Sequence, residues 1–382
     1  MTGLYLDAAA TSAVRREVLE AMWPYLTGDF GNPSSRHAVG ESAARALADA
    51  RATVAEWLGC RASEIVFTSG GTEADNLAIK GIALGAPRGR HIVTTPIEHE
   101  AVLASVDYLV RVHGFEADVV PVGRDGWVSP SDFAAALRPD TTLASVMLAN
   151  NEVGTVQPVS GLAALAHEHG VPFHTDAVQA AGWLPLHVRE LGVDALSVSG
   201  HKIGAPKGIG ALFARGRLAL EPVVHGGGQE RGRRSGTENV AGAVALATAA
   251  RLSMRDREAN AACASAARDA FVSAVVAATP GAQLTGHPSE RLPGTASFVF
   301  PGTNGETVLL ELERRGIVSS SGSACAAGSE DASHVLLALG YDEDVARTAV
   351  RFSWGAEVSE ADLLAVAPAV ADAVREVSGL AP

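Results

Sequence analysis

The chain has 382 residues, 47% of them hydrophobic and 19% charged, which is typical of a folded enzyme with a sizeable core. Acidic residues outnumber lysine and arginine by 43 to 30, and the net charge of −13 argues against direct nucleic-acid binding and adhesion to anionic membranes. No apolar run reaches the roughly 18 residues of a membrane span, and the first ten residues do not resemble a secretion signal. We therefore expect a cytoplasmic protein.

The cysteines are sparse and odd in number. The sequence has Cys60, Cys263 and Cys325, which form neither a disulfide framework nor a metal-ligand spacing. This set suits a reducing compartment, and we expect no bound metal.

Short apolar runs alternate with helical segments between about residue 60 and residue 215. The predicted strands lie at 65–68, 91–95, 118–122, 143–148, 171–175, 195–199 and 209–213. Helical spacing between them is clearest at 101–113 and 161–169. The alternation predicts a mostly parallel sheet with helices on both faces.

The pattern changes after about residue 215. A long Ala-rich helix is predicted at 239–278, followed by strands at 296–300, 317–320 and 348–353 and by helices at 306–315, 332–339 and from Ser359 onward. This pattern predicts a smaller α+β domain. We expect a large domain at 15–250 and a small domain formed by 1–14 and 251–382.

A glycine turn follows the first of the predicted strands in the sheet. Ser69-Gly70-Gly71-Thr72-Glu73 leads into a helical pattern, which is how a helix N-terminus and a hydroxyl are presented to a phosphate. A tight turn with an ordinary threonine cap explains the same residues, and the turn alone favours that reading.

Two further predicted strands are followed by residues that could take part in catalysis. Asp176 follows the run 171–175 at the edge where α/β sheets bind ligands, although a helix cap accounts for it equally well. Lys202 follows the run 195–199, and it is one of only three lysines, with Lys80 and Lys207, in a chain that uses arginine for its other basic residues. A lysine at this edge suits a Schiff base.

Two loops complete the candidate set. The segment 225–237 is rich in glycine, arginine and hydroxyls and is either an anion-binding loop or a surface loop. Cys325 lies among small residues, with none larger than alanine to bury it, which favours a reactive thiol.

Taken together, these segments resemble the cysteine desulfurases, pyridoxal-phosphate (PLP) enzymes of fold type I related to aminotransferases. The motifs that carry the resemblance span nearly the whole chain: Tyr5-Leu6-Asp7, Gly31-Asn32-Pro33, 69–76, Glu98-His99, Asn150-Asn151-Glu152, Asp176 with Gln179, 199–202, 234–237, 319–325 and Arg351-Phe352-Ser353. The sequence of residues 320–325 resembles that of the long-loop class I group, which serves iron–sulfur assembly. Gly204-Ala205-Pro206 departs from the Tyr-Gly-Pro sequence that many relatives carry after the lysine.

The resemblance implies PLP as the cofactor and assigns its contacts. Lys202 would form the Schiff base, Asp176 would pair with the pyridine nitrogen, Gln179 would contact the ring hydroxyl, and His99 would stack on the ring and transfer protons. The residues implied around the phosphate and the rest of the cofactor are Gly71, Thr72, Asn151, Ser199, His201 and, from the partner subunit of a homodimer, Thr237.

The resemblance also implies the substrate and the product. Asn32, Asn151 and Arg351 would orient L-cysteine, with the Arg351 guanidinium binding its carboxylate. Cys325 would receive the sulfur as a persulfide while L-alanine is released, and an acceptor protein, either an iron–sulfur scaffold or a thiolation relay, would take it.

Two other functions remain open at this point. One is a related PLP lyase or aminotransferase acting on another amino acid, in which Cys325 is incidental. The other is a catalytically silent scaffold.

Overall fold

The computed structural model describes residues 3–322 and 332–378. Its strands are β1 (Leu4–Tyr5), β2 (Ile65–Thr68), β3 (His91–Thr94), β4 (Glu116–Val119), β5 (Thr141–Ser145), β6 (Phe173–Asp176), β7 (Ala195–Ser199), β8 (Gly210–Ala214), β9 (Gln283–Leu284), β10 (Thr295–Val299), β11 (Ile317–Val318) and β12 (Ala349–Ser353). Its helices are α1 (Arg16–Met22), α2 (Pro24–Thr27), α3 (Ala38–Leu58), α4 (Gly71–Gly85), α5 (Glu100–His113), α6 (Pro130–Ala136), α7 (Val159–Glu168), α8 (Val188–Leu191), α9 (Val240–Ala278), α10 (Gly305–Arg314), α11 (His334–Ala338), α12 (Glu343–Ala346) and α13 (Glu360–Ser378).

Seven strands form the large sheet, in the order β2-β8-β7-β6-β5-β3-β4. Within this sheet β8 runs in the opposite direction to both of its neighbours, and the other six strands share one direction. The prediction of a mostly parallel sheet is therefore confirmed. The strand predicted at 118–122 lies at Glu116–Val119, and Val122 forms an isolated bridge with Val128 outside the sheet.

Helices cover both faces of the large sheet. Alternate strand residues point to opposite sides, so Phe67 packs with α3 and α9 on one face, whereas Val66 packs with α4 and α5 on the other. Because both faces of the sheet are covered, β2, β5 and β7 are buried over their whole length, including the threonines of β5 and the serines of β7.

A second core surrounds the antiparallel sheet β12-β10-β9. Phe271 of α9 packs edge-on against Phe298, Phe352 and Trp354, with ring centroids 5.4 to 6.1 Å apart. The N-terminus joins this core, since β1 pairs with β11 and Leu6 is fully buried in it.

Helix α9 connects the two cores, because Leu246 lies in the first and Phe271 in the second. In the described part of the chain it is the one helix long and apolar enough, by length and composition alone, to cross a membrane. It is not a continuous apolar run, because charged residues such as Arg255 and Arg268 interrupt it. It packs against α1, α3 and α13 and contributes buried residues to both cores.

Candidate functional site

The candidate site lies at the carboxyl edge of the large sheet, where β6 and β7 end. Asp176 is the last residue of β6 and is buried, and its Oδ1 accepts a hydrogen bond from the Val178 N–H at 2.8 Å. Burial raises the pKa of Asp176, and the nearby positive charges of His99 and Lys202 oppose that rise. A buried carboxylate is thus placed beside two candidate catalytic groups.

The start of α4 forms one wall of the site. The turn needs glycine here, because a Cβ on Gly71 would come within 2.8 Å of the Val178 side chain. Ser199 ends β7 and is buried next to this turn, and a Cβ on Gly70 would lie 3.8 Å from its hydroxyl. Thr72, in the first turn of α4, is exposed. Free N–H groups at a helix start and nearby hydroxyls make an anion site.

His201 adjoins this anion site as a neutral ring. Its Nδ1 lies 3.1 Å from the Thr11 hydroxyl. Burial, followed by the charges of Lys202 and Lys207, lowers the pKa of His201 to about 4. In the ligand-free chain the ring is therefore neutral at neutral pH and offers a hydrogen-bonding group beside the anion site.

The N-terminal segment, residues 7–12, crosses the site from the second core. Lys202 donates from Nζ to the main-chain carbonyls of Ala9 and Ala10, at 2.7 Å for Ala10. Gln179 Nε2 donates to the Ala9 carbonyl at 3.0 Å. The predicted lysine and glutamine are thus brought together on one stretch of backbone.

Arg351 reaches the same segment from β12. Its guanidinium is buried, with Nη2 donating to Asp7 Oδ1 and Nη1 donating to the Asn151 carbonyl, both at 2.8 Å. Its Nε has no hydrogen-bond partner among the residues the structure describes. The predicted substrate arginine is therefore adjacent to Asn151, and it is paired with an acid, Asp7, that the sequence did not suggest.

Two predicted residues, Asn32 and Thr237, are not assembled with this group in the described part of the chain. Asn32 is exposed, and its Oδ1 accepts the Ser34 N–H at 2.9 Å within a local turn. Thr237 is also exposed, just beyond Arg234, which pairs with Glu73 at 2.8 Å. Cys325 lies outside the described residues.

Sequence reasoning missed a polar network beneath Asp176. His174 is fully buried two residues earlier on β6, so it shares a face with Asp176. Its ring lies between Ser145 Oγ at 2.9 Å and Ser197 Oγ at 3.0 Å, with Asp75 Oδ1 at 3.7 Å. The available signal was a histidine two positions before Asp176, within the same predicted strand.

Glu98, beside His99, was also missed as a titrating group. It is fully buried, and its Oε1 accepts the Met147 N–H at 2.9 Å and the Thr95 hydroxyl at 2.7 Å. Burial raises the pKa of Glu98 to about 8, so the group is protonated at neutral pH.

Residues 4–366 match the aminotransferase class-V model, so the chain belongs to this family of PLP-dependent enzymes. Within it the chain belongs to the cysteine desulfurases. It is 44% identical over 361 residues to the cysteine desulfurase IscS of Dictyoglomus turgidum, covering 94% of this chain and 91% of the relative. A solved NifS-like protein superposes with a TM-score of 0.89 at 36% identity over 99% of each chain. A solved structure of SspA in complex with cysteine superposes with a TM-score of 0.81 at 37% sequence identity, covering 92% of this chain and 98% of the SspA chain. The predicted family and fold are confirmed.

The residues at the sheet edge fit PLP. The start of α4, Ser199 and the neutral His201 suit its phosphate, buried Asp176 suits its ring nitrogen, and Lys202 supplies an amine. Gly71 leaves open the space that a side chain would fill.

Proposed function

We propose that this chain removes sulfur from L-cysteine, leaving a persulfide on Cys325 and releasing L-alanine. The observation that carries the proposal is the meeting of Lys202, Asp176 and Arg351 around the N-terminal segment in a chain that resembles cysteine desulfurases over nearly its whole length. Bound PLP supplies an electron sink for negative charge at the substrate Cα.

Each group at the sheet edge has a role toward the cofactor in this proposal. Asp176 would keep the ring nitrogen protonated, Gln179 would hold the ring hydroxyl, and His99 would support the ring. Gly71, Thr72, Ser199 and His201 would hold the phosphate, together with Thr237 of a second subunit. This assignment is supported by the burial of Asp176 and by the helix start at Gly71.

Arg351 and Asn151 bind the substrate, with Asn32 as a further contact. The Arg351 side chain is held by the Asn151 carbonyl and Asp7, so its guanidinium is oriented before substrate arrives. A buried guanidinium binds a carboxylate strongly and directionally, which selects an amino acid.

Lys202 accepts the Cα proton at Nζ, and His99 is the second proton-transfer group. The Cys325 thiolate then attacks the substrate sulfur. A bond forms between the two sulfurs, the substrate Cβ–Sγ bond breaks with its electron pair remaining on carbon, and protonation of that carbon gives alanine. The persulfide passes to an acceptor protein, either an iron–sulfur scaffold or a thiolation relay.

The test uses purified protein with PLP, L-cysteine and a thiol reductant, and measures alanine and sulfide. We expect Cys325→Ser to abolish both products while the visible band of bound PLP is retained. Cys263→Ser, at an exposed free cysteine on α9, is the matched control and should remain active. Turnover by Cys325→Ser, or no alanine from the wild type with PLP bound, would favour the lyase or aminotransferase.

We also propose a cytoplasmic homodimer. The assigned role of Thr237 requires a second subunit, and α1, α2 and the following loop expose a row of large apolar side chains: Leu19, Trp23, Leu26 and Phe30. Exposed apolar patches of this kind mark protein interfaces. The proposed division into 15–250 and 1–14 with 251–382 is supported by the distinct clusters around the large sheet and around the antiparallel sheet, and by Leu6 in the latter. A further buried cluster, which includes Met147 and Val335, packs the two parts against each other.

A further inference from the structure

Asp75 contacts the acid that faces the cofactor ring, although nothing above assigns it a role. It lies one turn into α4, on the side of the helix that packs on the sheet, and is 1% exposed. Its neighbours on the sheet are fixed by register, since Asp176 of β6 pairs with Ser197 of β7 and the two side chains share a face. The Asp75 carboxyl is packed among these groups, close enough to Asp176 and Ser197 for its pKa to depend on both.

The surroundings of Asp75 supply no positive charge to neutralise it. The His174 ring lies 3.7 Å away, and burial lowers the pKa of His174 to about 3, so the ring is neutral. Within the described ranges, Asp75 Oδ1 has no hydrogen-bond donor. An ionised carboxylate here would be a buried charge without a partner, which is a costly arrangement.

Two carboxyl groups buried this close together cannot both ionise at low cost, so they share one proton. Asp176 has the better environment for the negative charge, because it accepts the Val178 N–H at 2.8 Å and faces His99 and Lys202. Asp75 faces Asp176 and Glu98. Burial and the Asp176 charge raise the pKa of Asp75, which agrees with a proton on this acid.

From this arrangement we infer that Asp75 is a positioning residue, a neutral acid that donates a hydrogen bond to the Asp176 carboxylate and fixes its orientation toward the pyridine nitrogen of PLP. Next to this pair of acids, the His174 ring hydrogen-bonds to Ser145 and Ser197, at 2.9 and 3.0 Å, and brings no charge of its own. The inference rests on the role proposed for Asp176. It adds that neutral Asp75 keeps the negative charge of the pair on the Asp176 carboxylate.

The test is a titration of apo-protein with PLP, followed by the visible absorption band, on Asp75→Ala and Asp75→Asn. Removing a hydrogen bond to a charged group should raise the Kd for PLP by about tenfold or more in Asp75→Ala. The amide of Asp75→Asn donates to Asp176 as the acid does, and this variant should stay within about threefold of the wild type. An equal loss in both variants, or none in Asp75→Ala, would overturn the inference.

A double-mutant cycle separates positioning from folding. In an Asp176→Asn background, the effect of Asp75→Ala on the Kd for PLP should largely vanish, because the charge on which it acts has gone. An undiminished effect there would mean that Asp75 only supports the fold. If Asp75→Ala does not fold, Asp75→Ser takes its place, since it also removes the carboxyl group while keeping a small polar side chain. Failure of Asp176→Asn itself to weaken PLP binding would instead refute the role proposed for Asp176.

Discussion

Glu98 shows how burial alone sets the state of a residue beside the site. Its pKa of about 8 in the folded chain exceeds the ordinary value of 4.5, so folding takes up a proton between these two values. Stability is therefore greatest below about pH 4.5, falls as pH rises toward about 8, and then levels off, as far as this group is concerned. Glu98→Gln keeps an oxygen for the Met147 N–H and cannot ionise.

We expect the difference in unfolding free energy between Glu98→Gln and the wild type to grow in favour of the variant from pH 5 to pH 8.5. Chemical denaturation at several pH values measures it, with Glu100→Gln, at the exposed neighbouring acid, as the control. A difference that is constant with pH would show that Glu98 is already ionised in the folded protein.

Asp7 occupies one nitrogen of the arginine that would bind substrate. Asp7→Asn keeps an oxygen for Arg351 Nη2 and removes a negative charge that repels the substrate carboxylate. We expect the KM for L-cysteine to fall by about two- to fivefold with kcat little changed, as measured by steady-state alanine formation. Asp7→Ala also loses the hydrogen bond that orients Arg351, and its KM should rise. A rise in KM for both variants would mean that the Asp7 charge itself assists binding.

The loop that carries Thr237 is held by a strained turn and a buried ion pair. Glu230 and Arg231 both have positive φ, at 48° and 58°, which costs free energy for residues with a side chain. The Glu230 carboxylate accepts hydrogen bonds from Nη1 and Nη2 of Arg51, at 2.6 and 2.7 Å, and from the Phe67 N–H at 3.2 Å. The turn is thereby anchored to β2 in the conformation that it adopts.

Arg51→Met should leave the Glu230 charge buried without its partner, at a cost of about 3–5 kcal/mol in stability. Thermal and urea unfolding of the apo-protein measure this loss, and proteolysis within 225–237 should become faster. The control is Arg111→Met, which breaks an exposed helical pair with Asp107 and should cost less than about 1 kcal/mol. Similar losses in the two variants would contradict an anchoring role for the buried pair.

At the scale of the whole molecule, the exposed apolar row on α1, α2 and the next loop should determine the oligomeric state. Phe30 is 71% exposed and Trp23 59% exposed, so a charge at either position should leave the fold intact. Trp23→Asp with Phe30→Asp should yield monomers in analytical ultracentrifugation and weaken PLP retention, since Thr237 would no longer reach a second subunit. Val112→Asp, at an exposed valine on α5, is the control. A double variant that stays dimeric would exclude this surface as the interface.

The sequence was sufficient to place residues that lie at the end of a single predicted strand. Asp176, Ser199 and Lys202 lie where they were expected because parallel strands end at a common edge. Contacts between distant segments were beyond its reach: Asp7 and Arg351 are 344 positions apart, and nothing local in either segment encodes their pairing.

The environment of a residue was likewise beyond the reach of sequence. Asp75 is one polar position on a helix until packing on β6 and β7 places it against Asp176. The pKa of Glu98 arises from burial by several elements.

The N-terminal segment has a consequence for how this site tolerates change. Lys202 and Gln179 donate to carbonyl oxygens of Ala9 and Ala10, which belong to the backbone and are present whatever side chains stand there. Substitution at these two positions can vary the side chains without removing the acceptors. The site therefore depends on the backbone path at these positions more than on the side chains. That path is fixed by β1 and by the hydrogen bonds from Ala8 and Ala9 to Ser353.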